Sequence, residues 1–386
     1  MPTSAQTILV LGGGVGGVVA AVELRKRLGD RHRIVLVERE ERHVFQPSLL
    51  WLMIGRRTAR QISRPVDRLR RRGIDVVRGE IEAIDPANRS VTVSGRELRG
   101  DAVVISLGAD LAADSIDGLP AAGHNFYTLG GAENLFRAAS QLREGRVVVM
   151  TAAPAYKCPA APYEAAMLID DFFRRRGTGG AVRVDVYAAE PAPMGVAGPH
   201  VSAAVVEMLE AKGIAYHPGH QVTSVSAEER RLHFANGASA DFDLLAYVPP
   251  HRAPRVVRES SLASEQGWIP VDRKTLQTSV PGVWAIGDVT TIPLKLGKPL
   301  PKAGVFAHRQ AETVARNLAQ AIEGKDASAS FDGQGGCFIE AGNRRAAFGS
   351  GDFYAEPVPV VAVRQPSIFH HLAKVFFEQQ WLRRWF

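Results

Sequence analysis

A strand, a glycine-rich turn, a helix and a second strand follow one another at the start of the chain, in TILVLGGGVGGVVAAVELRKRLGDRHRIVLVERE. Gly12, Gly14 and Gly17 have the G-x-G-x-x-G spacing, and the second strand, Ile34–Val37, ends at Glu38. In this motif the glycines permit a tight turn, close approach of a pyrophosphate and close packing of helix on strand. The helix N-terminus attracts the pyrophosphate, and the acidic residue accepts hydrogen bonds from ribose hydroxyls. The segment therefore predicts an α/β domain that binds a dinucleotide.

A distant segment indicates which dinucleotide binds. It begins at Thr278, continues through an apolar strand at Val283–Ile286 and ends in Gly287 and Asp288. This order resembles the second fingerprint of flavoproteins with two dinucleotide-binding domains, in which the aspartate holds the ribityl chain of FAD. Asp288 alone could be an ordinary loop residue, but together with the N-terminal motif it favours FAD.

A helix predicted from about Ala303 to Asn317 follows this fingerprint, with Gly304 in its first turn as a further cofactor-binding candidate. A helix N-terminus carries roughly half a positive charge. If this one points at the pyrimidine ring of the flavin, it would stabilise the anionic reduced form, and Lys302 would add a full charge. The alternative for Lys302 is a surface lysine that precedes a helix.

Residues 115–264 have a second alternating β/α pattern. Its predicted elements are the strands Arg146–Thr151 and Val182–Ala188 and the helices Pro162–Arg176 and His200–Lys212. In two-domain reductases the corresponding unit binds NAD(P)H, yet the loop AAPAYKCPAAPYE has no glycine and three prolines. Proline lacks the backbone N–H that a pyrophosphate needs. We therefore predict that NAD(P)H does not bind, and interpret Glu190, where a ribose-binding acid would lie, as a relic.

The chain has two cysteines, and both lie in unusual surroundings. Cys158 is next to Lys157 and just ahead of a helix N-terminus, two features that predict a lowered thiol pKa. Cys337 follows Gly335–Gly336, which permit close approach of the backbone to a flat group, and begins a predicted hairpin of strands Cys337–Glu340 and Ala346–Gly349. Free thiols or a redox pair fit a non-secreted chain, while buried inert cysteines are the alternative.

The chain is basic, with a net charge of +7 and a pI near 9.6, which favours an anionic partner. No nucleic-acid motif is present, so we predict no nucleic-acid partner and a membrane surface instead. A solvated basic face is the alternative for the cluster Arg56–Arg72. The N-terminus lacks the pattern of a secretory signal, and no apolar stretch reaches the ~20 residues that span a bilayer.

The C-terminal segment SIFHHLAKVFFEQQWLRRWF resembles a basic amphipathic helix rich in Phe and Trp. Its apolar residues fall roughly along one stripe, namely Ile368, Leu372, Val375, Phe376, Leu382, Trp385 and Phe386. Such a helix suits the interfacial plane of a membrane. Docking on the core of the protein itself is the alternative.

Taken together, several segments resemble the sulfide:quinone oxidoreductase family and its relative, the flavoprotein subunit of flavocytochrome c sulfide dehydrogenase. They are Gly12–Gly17, FQPSLLW (Phe45–Trp51), KCPAAPYE (Lys157–Glu164), VWAIGD (Val283–Asp288), LPKAGVFAHRQAE (Leu300–Glu312), GGCFIEAG (Gly335–Gly342), GDFYAEPVP (Gly351–Pro359) and the C-terminal FEQQWLRRWF.

The resemblance implies a reaction and roles for individual residues. In that family sulfide attacks a cysteine pair, sulfur stays behind as a persulfide, and the released thiolate passes two electrons to the flavin. Cys337 would be the flavin-proximal sulfur and Cys158 the one that receives sulfane sulfur. His200 and Glu164 resemble groups that could act as a base for hydrogen sulfide, although each could equally be an ordinary helix-start residue. Membrane quinone would reoxidise the flavin.

Two departures from the family pattern modify these expectations. Many members have a third cysteine, with a histidine four residues later, where this chain has Gly130 and Asn134. A three-sulfur cycle is therefore excluded, and a two-cysteine cycle is expected. No cysteine lies near His43, where some relatives attach FAD covalently, so noncovalent FAD is predicted.

The predicted fold is a glutathione-reductase-like α/β flavoprotein with two Rossmann-like domains and a membrane-associating C-terminal segment. Residues 1–114 and 265–325 would form the FAD domain, 115–264 the cysteine-bearing second domain, and 326–386 the C-terminal region with Cys337. The predicted location is peripheral on a membrane, with synthesis in the cytoplasm, and a homo-oligomer is left open. Alternatives are a type II NADH:quinone reductase, a flavocytochrome c-type sulfide dehydrogenase and a flavin redox sensor without turnover.

Overall fold

The computed structural model describes residues 4–386. Among these residues, ten α-helices alternate with strands and six short 3-10 turns. The helices are α1 Val15–Leu28, α2 Leu49–Leu52, α3 Ala59–Ile62, α4 Leu119–Ala122, α5 Leu129–Gln141, α6 Ala161–Arg175, α7 Pro199–Glu210, α8 Arg255–Arg258, α9 Gly304–Ile322 and α10 Ile368–Arg384.

The strands are short. Those of the first half are β1 Thr7–Leu11, β2 Arg33–Glu38, β3 Arg42–Val44, β4 Ser63–Pro65, β5 Asp75–Arg78, β6 Ile81–Asp85, β7 Ser90–Val93, β8 Arg96–Arg99, β9 Ala102–Ile105, β10 Asp110–Leu111, β11 His124–Asn125, β12 Gly145–Thr151 and β13 Val182–Ala188. Those of the second half are β14 Ala215–His217, β15 Val222–Ser226, β16 Arg231–Phe234, β17 Ser239–Asp241, β18 Leu244–Val248, β19 His251–Arg252, β20 Ile269–Pro270, β21 Val283–Ala285, β22 Thr290–Thr291, β23 Gln334–Glu340, β24 Ala346–Asp352 and β25 Val360–Ser367.

The first parallel sheet has the strand order β21-β9-β1-β2-β5. It therefore contains both predicted nucleotide-binding segments, the N-terminal one through β1 and β2 and the distant one through β21. Its central strand β1 is covered on both faces. Ile8 and Val10 pack with α1 and α9, and Leu9 and Leu11 pack against the antiparallel sheet β6-β7-β8. Burial on both faces explains why these strands are continuous apolar runs in the sequence.

The second parallel sheet, of order β11-β18-β12-β13-β14, repeats this arrangement. In its central strand, Val147 and Val149 pack with α5 and α6, while Val148 and Met150 face the antiparallel sheet β15-β16-β17. Two parallel sheets, each with helices on one face and a small antiparallel sheet on the other, confirm the predicted α/β class. The predicted helix Pro162–Arg176 is shifted by one residue, and α9 extends five residues beyond the predicted end.

A three-stranded antiparallel sheet, β23-β24-β25, holds the second cysteine. Cys337 pairs with Gly349 in β24, and Gly349 pairs with Val363 in β25. The sequence predicted the first two strands in shortened form and did not predict β25. The flat groups that approach Gly335 and Gly336 are aromatic rings of the chain itself. A Cβ added at Gly335 would lie 2.5 Å from the ring of Phe306, and one added at Gly336 would lie 3.1 Å from the ring of Phe348.

Helix α10 does not present one apolar stripe, and on this point the sequence prediction is wrong. Its charged and polar residues His371, Lys374 and Glu378 are buried, and so are Trp381, Leu382 and Trp385 near its end. The exposed apolar side chains belong to its first half, namely Ile368, Phe369, Leu372, Phe376 and Phe377. One face of α10 is therefore buried along the helix, and the opposite face presents apolar groups to solvent over the first half. Within residues 4–386, no helix combines the length and apolarity that crossing a membrane requires.

Candidate active site

The glycine-rich turn has the geometry that its sequence predicts. Gly12 has φ +96°, and a side chain there would lie 2.5 Å from the carbonyl oxygen of Ser106. A Cβ at Gly17 would lie 1.8 Å from the oxygen of Gly12, so helix and turn approach as closely as glycine allows. At Gly14, the N-cap of α1, an added Cβ would meet open space. The turn therefore leaves room for a ligand in front of the helix N-terminus.

Glu38 lies at the end of β2, as predicted, and braces this turn. Its Oε2 accepts a hydrogen bond from the backbone N–H of Gly13, and its Oε1 accepts one from Glu40 at 2.7 Å. His43 approaches the same turn, because its Nδ1 lies 2.8 Å from the oxygen of Gly13. The His43 ring is buried against Trp381 of α10, with ring centroids 4.8 Å apart. The end of the chain thus supports the dinucleotide turn.

Asp288 lies beyond the end of β21, at the same edge of the first sheet. Gly287 before it has φ +75° and donates its N–H to Gln310 at 2.7 Å. The Oδ1 atom of Asp288 is buried and, among residues 4–386, has no hydrogen-bond partner. Burial raises the pKa of Asp288, and the charges of Lys157 and Lys302 act in the opposite direction. A buried acceptor without a partner is suited to a ligand hydroxyl.

The N-termini of α1 and α9 meet beside Asp288, since a Cβ at Gly304 would lie 3.8 Å from Val15. Lys302, just before α9, donates from Nζ to the carbonyl oxygens of Asp288 at 2.6 Å and Thr290 at 3.0 Å. Its ammonium also lies 3.5 Å from the centroid of the Trp268 ring. Burial lowers the pKa of Lys302 to about 8, while Asp288 acts to raise it. The alternative of a surface lysine is therefore wrong.

These groups fit FAD. Two helix N-termini supply partial positive charge for phosphates and for an anionic ring. Glu38 and Asp288 supply carboxylate acceptors at one edge of the sheet, where β2 and β21 terminate, with β9 and β1 between them.

Cys158 is held in a strained backbone conformation. Its φ is +53°, in the left-handed region that non-glycine residues rarely adopt. The backbone N–H of Cys158 donates to the oxygen of Lys302 at 2.7 Å. The hydroxyl of Tyr127 donates to the carbonyl oxygens of Lys157 at 2.9 Å and of Cys158 at 3.2 Å. These bonds fix the cysteine loop against the segment that begins α9.

The structure brings the two cysteines together. Both are free thiols, Cys337 is exposed, and Cys337 lies close enough to influence the pKa of Cys158. The hydrogen bond with Cys337 is the largest cause that raises the pKa of Cys158 well above its usual value, followed by burial. The lowered pKa predicted from Lys157 and the helix N-terminus is therefore wrong. The positive charge that lowers the pKa of Cys158 is that of Lys374 rather than Lys157, and it is outweighed by Cys337, burial and Glu164.

Glu164 lies in the first turn of α6 and is buried. Its Oε1 accepts a hydrogen bond from the ammonium of Lys374 in α10 at 2.8 Å and from the backbone N–H of Glu340 in β23 at 2.9 Å. Burial raises the pKa of Glu164, and Lys374 partly offsets it. A second buried pair lies alongside, where His371 Nδ1 is 2.9 Å from Glu340. Glu164 therefore joins α6, β23 and α10 close to the sulfur atoms.

His200 lies near the start of α7 and is exposed. Its Nε2 makes a hydrogen bond with the carbonyl oxygen of Val361 in β25. Cys337 lies in β23, two strands away in the same sheet. The role predicted for His200 as a base stays a prediction.

Glu190 is buried inside the second domain, where a ribose-binding acid would lie. Its carboxylate accepts hydrogen bonds from three hydroxyls, those of Thr151 and Tyr163 at 2.6 Å each and that of Tyr156. Burial raises the pKa of both tyrosines, with Glu190 adding to it. Tyr156 and Tyr163 flank Cys158 in the sequence, so Glu190 anchors both ends of the cysteine loop.

An enzyme that moves electrons between thiols and a dinucleotide needs the two within reach of each other. Here the backbone N–H of Cys158 is hydrogen-bonded to Lys302, and Lys302 is hydrogen-bonded to Asp288, which lies at the same sheet edge as the glycine-rich turn. By fold and site the chain belongs to the class of α/β flavoprotein oxidoreductases. It belongs to the pyridine nucleotide-disulphide oxidoreductase family, whose sequence profile matches residues 6–311.

Individual relatives are sulfide-oxidising enzymes by name. The mitochondrial sulfide:quinone oxidoreductase of Mus musculus is 25% identical over 368 residues, which cover 91% of this chain and 79% of that protein. The sulfide-quinone reductase of Aquifex aeolicus is 26% identical over 372 residues, covering 92% and 84%. The X-ray structure of the Aquifex aeolicus sulfide:quinone oxidoreductase matches with a TM-score of 0.89 and 23% identity, over 99% of this chain and 91% of that one. The resemblance predicted from the sequence is confirmed.

Sequence reasoning missed the buried charged residues around the cysteines. Lys374 and Glu340 were not singled out, and neither were Tyr127 and Trp268. A signal for Lys374 exists, because His371, Lys374 and Glu378 share one helical face with Trp381 and Trp385. The contacts of Tyr127 and Trp268 connect residues far apart in sequence, and no local pattern predicts them.

Proposed function

We propose that the chain is an FAD-dependent sulfide:quinone oxidoreductase, which oxidises sulfide to sulfane sulfur and passes the electrons to membrane quinone. The observation that carries this proposal is the proximity of the two cysteines beside Lys302: the N–H of Cys158 donates to Lys302, and Glu164 of the Cys158 segment bonds to the strand that holds Cys337. It supports a thiol pair within electron-transfer reach of a cofactor bound at the adjacent turn.

FAD would be held without a covalent bond. Gly12, Gly14, Gly17 and Glu38 would bind the adenosine diphosphate part, and Gly287, Asp288, Lys302 and Gly304 the ribityl chain and ring. Bound FAD would supply a two-electron acceptor. Lys302, whose pKa is lowered to about 8 by burial, still carries substantial positive charge at neutral pH. It would therefore favour an anionic reduced ring.

The sulfur chemistry balances with two cysteines. When Cys158 and Cys337 form a disulfide, HS⁻ attacks Sγ of Cys158 and the bond between the two cysteine sulfurs breaks. The sulfide sulfur and its proton remain on Cys158 as a persulfide. Cys337 leaves as a thiolate that holds the electron pair, which is the pair destined for the flavin and then for quinone.

The raised pKa of Cys158 supports this assignment of roles. In thiol–disulfide exchange the thiol of lower pKa leaves more readily. Burial and the charge of Glu164, which raise the pKa of Cys158 independently of Cys337, make Cys158 the poorer leaving group. Attack at Cys158, with departure of Cys337, is therefore the favoured direction. Glu164, fixed by Lys374 and Glu340, would act by positioning α6 and β23 around the pair.

Quinone would enter from a membrane against which α10 lies. The exposed fractions of Phe369, Phe376 and Leu372 are 78%, 65% and 55%, so the first half of α10 presents bulky apolar groups to solvent. A helix of this kind binds in the interfacial plane of a bilayer. Its opposite face holds Lys374, which bonds to Glu164 near the cysteines. The proposed location is therefore peripheral on a membrane.

An anaerobic experiment tests this function. The purified yellow protein receives stoichiometric sulfide in one cuvette and NADH in another, and the visible flavin band is recorded. Sulfide should bleach the band, and a water-soluble quinone should restore it over repeated cycles. Bleaching by NADH alone would identify an NADH:quinone reductase instead. Bleaching by sulfide without quinone turnover would favour a redox sensor, and reoxidation by cytochrome c alone would favour a flavocytochrome c-type partner.

A further inference from the structure

A basic groove lies between the segment around α3 and the second half of α10. Its volume is about 760 Å³, and its lining includes four arginines, Arg57, Arg60, Arg64 and Arg383, and one carboxylate, Glu378. No step of the proposed sulfide chemistry uses these arginines.

The single carboxylate is already engaged. Glu378 is buried, lies 2.8 Å from Arg57 Nη2 and accepts a hydrogen bond from Ser48 at 2.5 Å. Among residues 4–386, Arg60, Arg64 and Arg383 form no ion pair; Arg64 donates to the backbone oxygens of Gln61 and Ser63. Three guanidinium groups therefore share one groove without an ion-pair partner of their own among residues 4–386.

The surroundings of Arg64 disfavour its positive charge. Burial lowers its pKa first, the positive charges of Arg68, Arg42 and Arg383 lower it further, and Glu378 opposes them. Five donors in a planar fork make each guanidinium suited to the oxygens of a phosphate group. A bound anion would relieve this repulsion.

The arginines lie on rigid elements. Thr58 and Gln61 form a capping box at α3, in which the N–H of Thr58 donates to Gln61 at 2.8 Å. Arg64 belongs to β4, which pairs with β3 through His43 and Val44. The geometry of the groove is therefore preorganised rather than supplied by a loose loop.

The groove adjoins the exposed apolar face of α10. Leu372, Phe376 and Arg383 follow the spacing of one helical face, and Val375, which also lines the groove, lies next to Phe376. This helix face is apolar over its first half and basic toward its end. It therefore matches the interfacial region of a bilayer, where the acyl chains meet the phosphate headgroups.

From this charge complementarity we infer that the groove binds the phosphodiester of an anionic phospholipid headgroup, through Arg60, Arg64 and Arg383. The inference rests on the proposed membrane association and adds a lipid class to it. Zwitterionic lipid offers the same phosphate with a neutralising cation attached, so the groove distinguishes the two.

The test compares a variant in the groove with a charge-matched control. The variant is Arg60→Gln/Arg64→Gln/Arg383→Gln. The control is Arg31→Gln/Arg96→Gln/Arg183→Gln, which removes three exposed charges that do not line the groove. Flavin-loaded proteins are floated with vesicles of phosphatidylcholine alone or with a third of phosphatidylglycerol. A basic residue at an anionic surface contributes about fivefold to partitioning, so the groove variant should lose on the order of 100-fold on the mixed vesicles. The control should lose less than about fivefold.

Equal losses in the two variants, or none in the groove variant, would overturn the inference. Equal partitioning of the wild type to both vesicle types would do the same. Inorganic phosphate is titrated calorimetrically into detergent-solubilised protein as a further arm. Saturable phosphate binding that needs the three arginines, without any preference for anionic vesicles, would assign the groove to a soluble anion instead.

Two readouts keep this inference separate from the proposed function. Failure to float with either vesicle would contradict membrane association itself. Sulfide-driven turnover of the wild type with water-soluble quinone, measured without vesicles, reports on the proposed reaction alone. A matching thermal midpoint and visible flavin spectrum show that each variant is folded.

Discussion

The ammonium of Lys374, in the last helix of the chain, lies 2.8 Å from the carboxylate of Glu164, six residues after Cys158. Both groups are buried, and the neutral backbone N–H of Glu340 completes the carboxylate's environment. One ion pair therefore couples the helix proposed to meet the membrane with the loop proposed to receive sulfur. The C-terminal helix is an integral part of the site rather than an appended anchor.

Loss of this ion pair should destabilise the protein strongly. In Lys374→Met, Glu164 is left buried without its counter-charge, which typically costs about 3–5 kcal/mol of unfolding free energy. The double variant Lys374→Met/Glu164→Gln should recover part of this, because no charge remains buried. Chemical denaturation of the flavin-loaded proteins measures both. If the single variant is as stable as the wild type, the pair does not hold α10 in place.

Serine substitution at either cysteine should stop flavin reduction by sulfide while FAD remains bound. In Cys337→Ser or Cys158→Ser no disulfide can form, so the rate of sulfide-dependent bleaching should fall on the order of 1,000-fold or more. Reduction by dithionite serves as the control, since it needs no cysteine. Substantial remaining reduction by sulfide in Cys337→Ser would contradict the assigned role.

Cys337 should also control the reactivity of Cys158. Interaction with Cys337 is the first cause of the raised Cys158 pKa, so Cys337→Ser should lower that pKa and raise the thiolate fraction. Alkylation of Cys158 by iodoacetamide at pH 8 should then be faster in the variant than in the reduced wild type. Mass spectrometry of the modified peptide measures the rate. A slower or unchanged rate would mean that burial alone sets the pKa.

Acid should destabilise the protein through buried neutral histidines. Burial lowers the pKa of His43 to about 4, against the hydrogen bond to Gly13, and the pKa of His251 to about 3, with Lys157 adding to burial. A histidine whose pKa is lowered by folding contributes full stability above about pH 6.5, and this is lost as the pH falls toward the folded-state value. For His43 the loss from pH 7.5 to pH 5 is about 2 kcal/mol.

The variant His43→Phe isolates this contribution. It keeps an aromatic ring against Trp381 but cannot be protonated, so its stability should fall by about 2 kcal/mol less than that of the wild type between pH 7.5 and 5. His233→Phe, on the surface strand β16, is the matched control. Parallel pH curves for all three proteins would show that His43 is not held neutral in the folded state.

The hydroxyl groups around Glu190 should be needed to hold the cysteine loop. Tyr156→Phe and Tyr163→Phe each remove a hydrogen bond to a buried carboxylate, which is worth about 1.5–3 kcal/mol. Tyr216→Phe is a matched control, because the Tyr216 hydroxyl is buried beside Tyr163 without a partner in residues 4–386. The first two variants should also slow flavin reduction by sulfide, and the control should not. Equal stability of all three variants would deny Glu190 an anchoring role.

Local patterns predicted the parts of this molecule that depend on local geometry. The glycines of the first turn, the strand before Asp288 and the helix after Cys158 are all specified by neighbouring residues. The pKa of Cys158 was predicted with the wrong sign, because Lys157 is adjacent in sequence whereas Cys337 and Glu164 act across space. The buried face of α10 was missed for the same reason, since Lys374 is stable there only because Glu164 lies opposite. Long-range charge pairing leaves no signature within a single segment.

Membrane association should depend on the exposed half of α10 and can be tested without removing the helix. Truncation before Ile368 would delete the buried residues Lys374, Trp381 and Trp385. Loss of membrane binding could then not be distinguished from unfolding of the protein. The variant Phe369→Ser/Leu372→Ser/Phe376→Ser changes only exposed side chains. It should reduce flotation with phosphatidylcholine vesicles by on the order of 100-fold or more, because burying each of these apolar side chains in the membrane contributes ~1.5–3 kcal/mol. Val358→Ser/Val360→Ser, which also alters exposed apolar residues but outside α10, is the control. If both variants float like the wild type, quinone reaches the site by a route other than a membrane held against this helix.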